Sequence, residues 1–172
     1  IYAGAQKNMA PAGLTVVIVR EDLLDFAKPE MPTMLEWKRM AENGSMYNTP
    51  PCYAIYMAKL VYEWLLSIGG LEEMKRRNEE KAGLLYSFLD SQDYYIAPVE
   101  KSSRSMMNVT FVTGNAELDR KFAAEAGAVG LKNLKGHRSV GGMRASIYNA
   151  MPREGVEKLV AFMKAFAAAN PK

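Results

Sequence analysis

A chain of 172 residues, 49% of them hydrophobic, is long enough to bury a core, which excludes the disordered and fibrous classes. With 22 Lys and Arg against 19 Asp and Glu the formal charge is +3, and no dense basic run points to nucleic acid. A single cysteine, Cys52, and a single histidine, His137, leave no intrachain disulfide and no Cys/His cluster for zinc, so no metal is expected and the cytoplasm is the default compartment.

In chain order, "IYAGAQ" begins without Met and reads as the middle of a strand and loop, the expectation being a fragment. "LTVVIV" (Leu14 to Val19) is a continuous, β-branched apolar run, expected to be a central strand buried on both faces. "REDLLDFA" can form one or two helical turns before the prolines of "KPEMPTM" stop it. "NTPPCYAIYMAKLVYEWLLSIGG" predicts the best helix. Asn48 or Thr49 is its cap, Pro50 and Pro51 lie in its first turn, and Gly69-Gly70 end it. Tyr53, Tyr56, Met57, Leu60, Val61, Trp64 and Leu65 recur at helical spacing and predict a buried stripe.

A second helix, about Leu71 to Leu89, follows, with "EEMKRRNEEK" as a solvated face. "MMNVTFVTG" alternates as a half-buried strand. "NAELDRKFAAEAG" predicts a helix with an Asn cap and a Gly stop, "GGMRASIYNAM" a strand entered through two glycines, and "PREGVEKLVAFMKAFAAAN" an amphipathic helix. The order strand, helix, loop, strand, helix predicts a small α/β sandwich with one sheet face covered by helices. No apolar run reaches the roughly 18 to 20 residues of a membrane helix, so no membrane partner is expected.

Three stretches carry chemistry. Lys7 lies in "AGAQKNMAPAG", among small residues that would let a planar ligand approach and beside Gln6 and Asn8 as hydrogen-bonding groups. A lysine of lowered pKa forms Schiff bases, but a solvated lysine in a Gly/Ala-rich loop fits the same residues. "GHRSVGGMRAS" brings His137, Arg138 and Arg144 together around two glycines, a donor set for carboxylate or phosphate. Arg144, inside an apolar strand, needs a partner, either a ligand or a structural carboxylate. "SMYNTPP" places Asn48 and Thr49 at a helix start, where they can cap the helix or meet a phosphate. Cys52 lacks the second His or Asp a thiol nucleophile would need.

Taken in order, "AGAQKNMAPAGLTVVIVREDLL", "SMYNTPPCYAIYMAKLVYEWL" and "LKGHRSVGGMRASIYNAM" resemble the phosphoserine aminotransferase family, class-V aminotransferases of fold type I. The resemblance implies an α/β fold: residues 1–68 as the end of the large cofactor-binding domain with an interdomain helix, and 69–172 as the small C-terminal domain. It implies pyridoxal 5'-phosphate in a Schiff base on Lys7, with Gln6 beside it, and Asn48 and Thr49 reaching the cofactor phosphate of a partner subunit in a homodimer. Arg144 would hold the substrate α-carboxylate, and His137 with Arg138 the substrate phosphate or the side-chain carboxylate of glutamate. The implied reaction moves the amino group of glutamate to 3-phosphohydroxypyruvate. Family members are about twice as long, so the piece alone is expected to be inactive. Another transaminase or lyase of the same fold, and a non-catalytic anion-binding α/β domain, are the competing readings.

Overall fold

Gly69 and Gly70 follow the most apolar helix in the sequence, and both take a positive φ, 114° and 75°, that side chains resist. The computed structural model describes residues 1–172 and divides at this point into two compact units, Ile1–Ser67 and Ile68–Lys172.

In the first unit, β1 (Tyr2–Gly4) and β2 (Thr15–Val17) form an antiparallel two-stranded sheet with Ala3 opposite Val16. The expected central strand is therefore corrected. β2 has one ladder partner only, Thr15 and Val17 are exposed, and Ile18 is 64% exposed. A continuous apolar run specifies cover on both faces, and within this chain the Thr15 and Val17 face is left exposed while Val16 on the other is half-buried. The "REDLLDFA" segment makes a single 3-10 turn, Glu21–Leu23, and a second lies at Thr33–Leu35. A short helix, α1 (Trp37–Glu42), was not predicted; six residues are too few to show a helical period.

Helix α2 (Cys52–Ser67) is present, but its start and its buried face both differ from expectation. Each proline restricts the residue before it to extended conformations, so Thr49 and Pro50 cannot be helical and the ladder begins with Ile55 N–H donating to Pro51 O at 3.1 Å. Asn48 and Thr49 consequently stand ahead of the helix, exposed, and make no cap bond. The buried face is set by Ala54 and Ala58, with Met57, Val61 and Leu65 half-buried, whereas Tyr53, Tyr56, Leu60 and Trp64 are exposed. Small residues decide it: Ala58 packs with Ala5 and Ala10 of the Lys7 turn, which alanines alone allow so closely, and Tyr62 Oη donates to Met9 Sδ at 3.3 Å.

The second unit holds α3 (Gly70–Asp90), β3 (Asn108–Phe111), α4 (Ala116–Ala128), β4 (Met143–Ser146) and α5 (Arg153–Ala169). The predicted order of elements is met. β3 and β4 pair antiparallel with Thr110 opposite Arg144 and Val109 opposite Ala145. One face of the ladder, Val109, Phe111, Met143 and Ala145, is buried in a core shared with α3, α4 and α5. Phe122 and Phe111 meet edge-on with centroids 5.6 Å apart, Phe122 also meets Phe166 edge-on, and the buried Tyr95 Oη donates to Met163 O.

Asn115 caps α4 as expected, accepting from Glu117 N and Leu118 N. The helix runs one residue past Gly127 and is released at Gly130, φ 91°. At the far end of α3, Arg104 binds both oxygens of Asp90 at 2.7 and 2.8 Å and lies over the Tyr86 ring. That pairing, with Lys101 adding to it, holds the Asp90 carboxyl down at about 2.

Candidate functional site

Lys7 sits on a turn that the backbone closes tightly. Ala5 O accepts from Met9 N and Ala10 N, and Lys7 N–H donates to Ala10 O at 3.0 Å. Ala5 and Ala10 are buried, so the turn is anchored from below while Lys7 and Gln6 are exposed at its tip. To make the turn Lys7 takes φ 87°, a left-handed conformation that costs a side-chain-bearing residue about 1–2 kcal/mol. Glycine would avoid that cost, yet a lysine occupies the place. Nothing in the local sequence signals this strain.

The second unit presents the candidate anion-binding residues His137, Arg138 and Arg144 on one loop and one strand. The segment from Gly136 to Gly142 is closed by Gly136 N–H donating to Gly142 O at 2.8 Å, with Val140 N–H and Gly141 N–H both donating to His137 O. The closure depends on small residues: a Cβ at Gly136 would collide with the Gly141 carbonyl oxygen, and one at Gly142 would lie 2.6 Å from Val112 Cγ1. Within the loop, His137 Nδ1 accepts from Ser139 N–H at 3.3 Å and lies 2.7 Å from Ser139 Oγ. With Nδ1 engaged as an acceptor, the neutral ring carries its proton on Nε2, which is left as a donor.

His137 and Arg138 are exposed and line a cavity of about 630 Å³ between this loop and α4, whose wall includes Arg120 and Asp119. Asp119 is already engaged, accepting from Thr113 N and Thr113 Oγ1 at 2.8 and 2.7 Å. The free charge facing the cavity is therefore mainly positive, from Lys135, His137 when protonated, and Arg138.

Arg144 stands on the polar face of β4, half-buried, its backbone N–H held by Leu134 O. No carboxylate pairs with it, and its Nε is enclosed without a hydrogen-bond partner. Within these 172 residues, therefore, no structural carboxylate meets it. The Thr110 hydroxyl, directly across the ladder, is likewise enclosed without a partner. Two unsatisfied polar groups side by side are costly unless a ligand meets them.

The solvated face of "EEMKRRNEEK" carries the expected i,i+4 pairs, Arg76 with Glu80 and Arg77 with Glu73, but the stretch also has an inner face. Met74, Asn78 and Lys81 of that stretch are buried, Lys81 being 2% exposed. Its ammonium donates to backbone carbonyls only, Tyr148 O at 2.8 Å and Met151 O at 3.0 Å, with Ile147 O and Asn149 O at 3.4 Å. Burial, with Arg77 nearby, lowers its pKa from the ordinary lysine value. The signal lay in the register: Met74, Asn78, Lys81, Leu85 and Leu89 recur on one helical face, and the charge runs obscured it.

Compared with known proteins, the chain matches the family described as aminotransferase class-V over residues 1–159. It belongs to that family. Among curated class-V relatives, it is 58% identical over 171 residues to a phosphoserine aminotransferase of Streptococcus suis and 60% identical over 170 residues to one of Listeria monocytogenes. Each match covers 99% of this chain and 47% of the relative, so the chain spans about half the length of the curated relatives it matches. Two solved class-V structures agree in shape. The phosphoserine aminotransferase of Bacillus circulans subsp. alkalophilus superimposes with a TM-score of 0.93 at 48% identity, covering 98% of this chain and 47% of that one. A pyridoxal-phosphate-bound phosphoserine aminotransferase from Trichomonas vaginalis gives 0.89 at 40% identity, over 95% and 47%. The fold-type-I α/β expectation therefore holds.

Proposed function

We propose that this chain is the part of a phosphoserine aminotransferase that contributes the cofactor lysine and the substrate's anion-binding groups. In that role residues 1–68 are the end of the large cofactor-binding domain and 69–172 the small C-terminal domain. The reaction transfers the amino group of glutamate to 3-phosphohydroxypyruvate, giving phosphoserine and 2-oxoglutarate, within serine and pyridoxine biosynthesis in the cytoplasm. The observation that carries the reading is Arg144, a half-buried guanidinium with an enclosed, unpartnered Nε and no carboxylate of its own chain.

The residues suit pyridoxal phosphate. Lys7 offers an exposed amine on a turn anchored by buried alanines, and Gln6 adjoins it. Asn48 and Thr49, exposed and released from capping by the two prolines, suit a phosphate, and in a homodimer they serve the partner subunit's cofactor. When bound, the cofactor supplies the electron sink that makes the α-proton of an amino acid labile. The Lys7 amine would hold the cofactor and, when not bonded to it, would be the base that accepts the α-proton at its Nζ. Arg144 binds the substrate α-carboxylate with its planar fork. His137 Nε2–H and Arg138 hold the distal anion, a phosphate or the glutamate side chain, so one site serves two dianions.

A distal-anion site separates this reading from another transaminase of the same fold. In the polypeptide expressed from its complete reading frame, the half-reaction with phosphoserine is expected to exceed that with serine or alanine by at least about a hundredfold, the worth of a charge-assisted pair. Comparable rates with all three would discard the phosphorylated substrate.

A further inference from the structure

The conversion of the Lys81 ammonium into an internal fastening is the feature that the proposed reaction leaves unused. A buried ammonium without a carboxylate is expensive unless its three N–H groups are met. Here the two short bonds, to Tyr148 O and Met151 O, take two of them, and the longer contacts to Ile147 O and Asn149 O share the third. These carbonyls come from one short turn that leaves β4, within which Met151 N–H also donates to Tyr148 O at 2.9 Å. One helical turn earlier on α3, Asn78 Nδ2 donates to Asn149 Oδ1 at 2.9 Å. The turn is thus fastened to α3 at two points, and α3 is a 21-residue helix whose inner face is locked into the core.

The same turn begins three residues after Arg144. Ile147 N–H donates to Met107 O at 2.9 Å and Arg144 N–H to Leu134 O at 2.8 Å, so the strand between the two residues is held on both edges and transmits a displacement of its end. We propose that Lys81 is a positioning residue for the carboxylate clamp: by gathering the carbonyls of the Ile147–Met151 turn onto α3, it fixes the end of β4 and the aim of Arg144. The inference rests on the reading of Arg144 as the substrate-carboxylate residue. An apolar residue of like length at position 81 would take the ammonium's donors away from these carbonyls, and the turn would lose its fastening to α3 and shift toward water. A clamp misaimed by about an ångström loses much of its binding without touching the chemistry at Lys7.

The test uses the polypeptide from its complete reading frame, loaded with cofactor, and two variants, Lys81→Met and Asn78→Ala. For Lys81→Met the KM for glutamate is expected to rise about tenfold while kcat stays within about twofold and the visible absorbance of the bound cofactor is unchanged. Asn78→Ala, which keeps the ammonium, is expected to raise KM about threefold, and it decides the matter if Lys81→Met does not fold. A lowered melting temperature with KM unchanged in the folded variants would overturn the proposal and make Lys81 structural only. An unmutated protein with no transaminase activity would overturn the underlying reading as well, so the two failures are distinguishable.

Discussion

Gly136→Ala places the first side-chain atom of the loop where the structure has no room. Its Cβ would collide with the Gly141 carbonyl oxygen and lie 2.7 Å from that of Gly142, both backbone atoms, so neither can rotate away as a side chain would. The loop must open, which breaks the Gly136 N–H to Gly142 O bond at a cost of about 1 kcal/mol, and the residual crowding adds about 1–3 kcal/mol. The sum, about 2–4 kcal/mol, corresponds to a fall of roughly 10–25 °C in the melting temperature of a unit of about 100 residues. Gly141→Ala is the control. That position has φ 78° but open space around its Cβ, so only the left-handed strain of about 1 kcal/mol is expected. Both variants are followed by circular dichroism in urea and on heating. If Gly136→Ala is no more destabilising than Gly141→Ala, the loop is not closed in the way described, and the placement of His137 and Arg138 falls with it.

Three other outcomes are expected. Lys7→Gly should raise the urea midpoint, since relief of about 1–2 kcal/mol of strain exceeds the extra chain entropy of glycine, about 0.5–1 kcal/mol, while abolishing covalent cofactor binding; a lower midpoint at equal m-value would refute the strain. Asp90, held at about 2 by Arg104 first and then Lys101, has a folded pKa below its unfolded value of about 3.9. Its contribution is therefore complete above about pH 4 and is lost as pH falls through 2; Arg104→Met should move the Asp90 titration seen by NMR up toward 4, and an unmoved titration would discard the pairing. Phe122→Ala, at a fully buried ring edge-on to Phe111 and Phe166, should cost about 3–5 kcal/mol by denaturant unfolding, and a loss under about 1 kcal/mol would contradict the core described.

Elements whose burial is decided inside this chain were legible in the sequence. The Asn115 cap, the alternation of Val109 and Phe111 and the apolar stripe of α5 all specify contacts that the second unit makes within itself. Patterns that specify cover from elsewhere misled: β2 and the Tyr53, Tyr56, Leu60 and Trp64 face of α2 are apolar, and within these 172 residues they are exposed. The site divided in the same way. Residue types and spacing made Lys7, Arg144 and the His137–Arg138 pair candidates, with solvated or structural readings left open until the family resemblance gave them roles, and the left-handed turn under Lys7 and the unpartnered Nε of Arg144 are properties of the backbone path. A charge within a charged run reads as solvated, but the register of Lys81 with Asn78 and Leu85 places it inside.

The claim on which the rest depends is that Lys7 carries pyridoxal phosphate. Borohydride reduction of the cofactor-loaded polypeptide, expressed from its complete reading frame, followed by proteolysis and peptide mass mapping, tests it directly. The account predicts one phosphopyridoxyl group, on the peptide containing "AGAQKNMAPAG" and at Lys7. A label on another lysine, or none on Lys7, would contradict it.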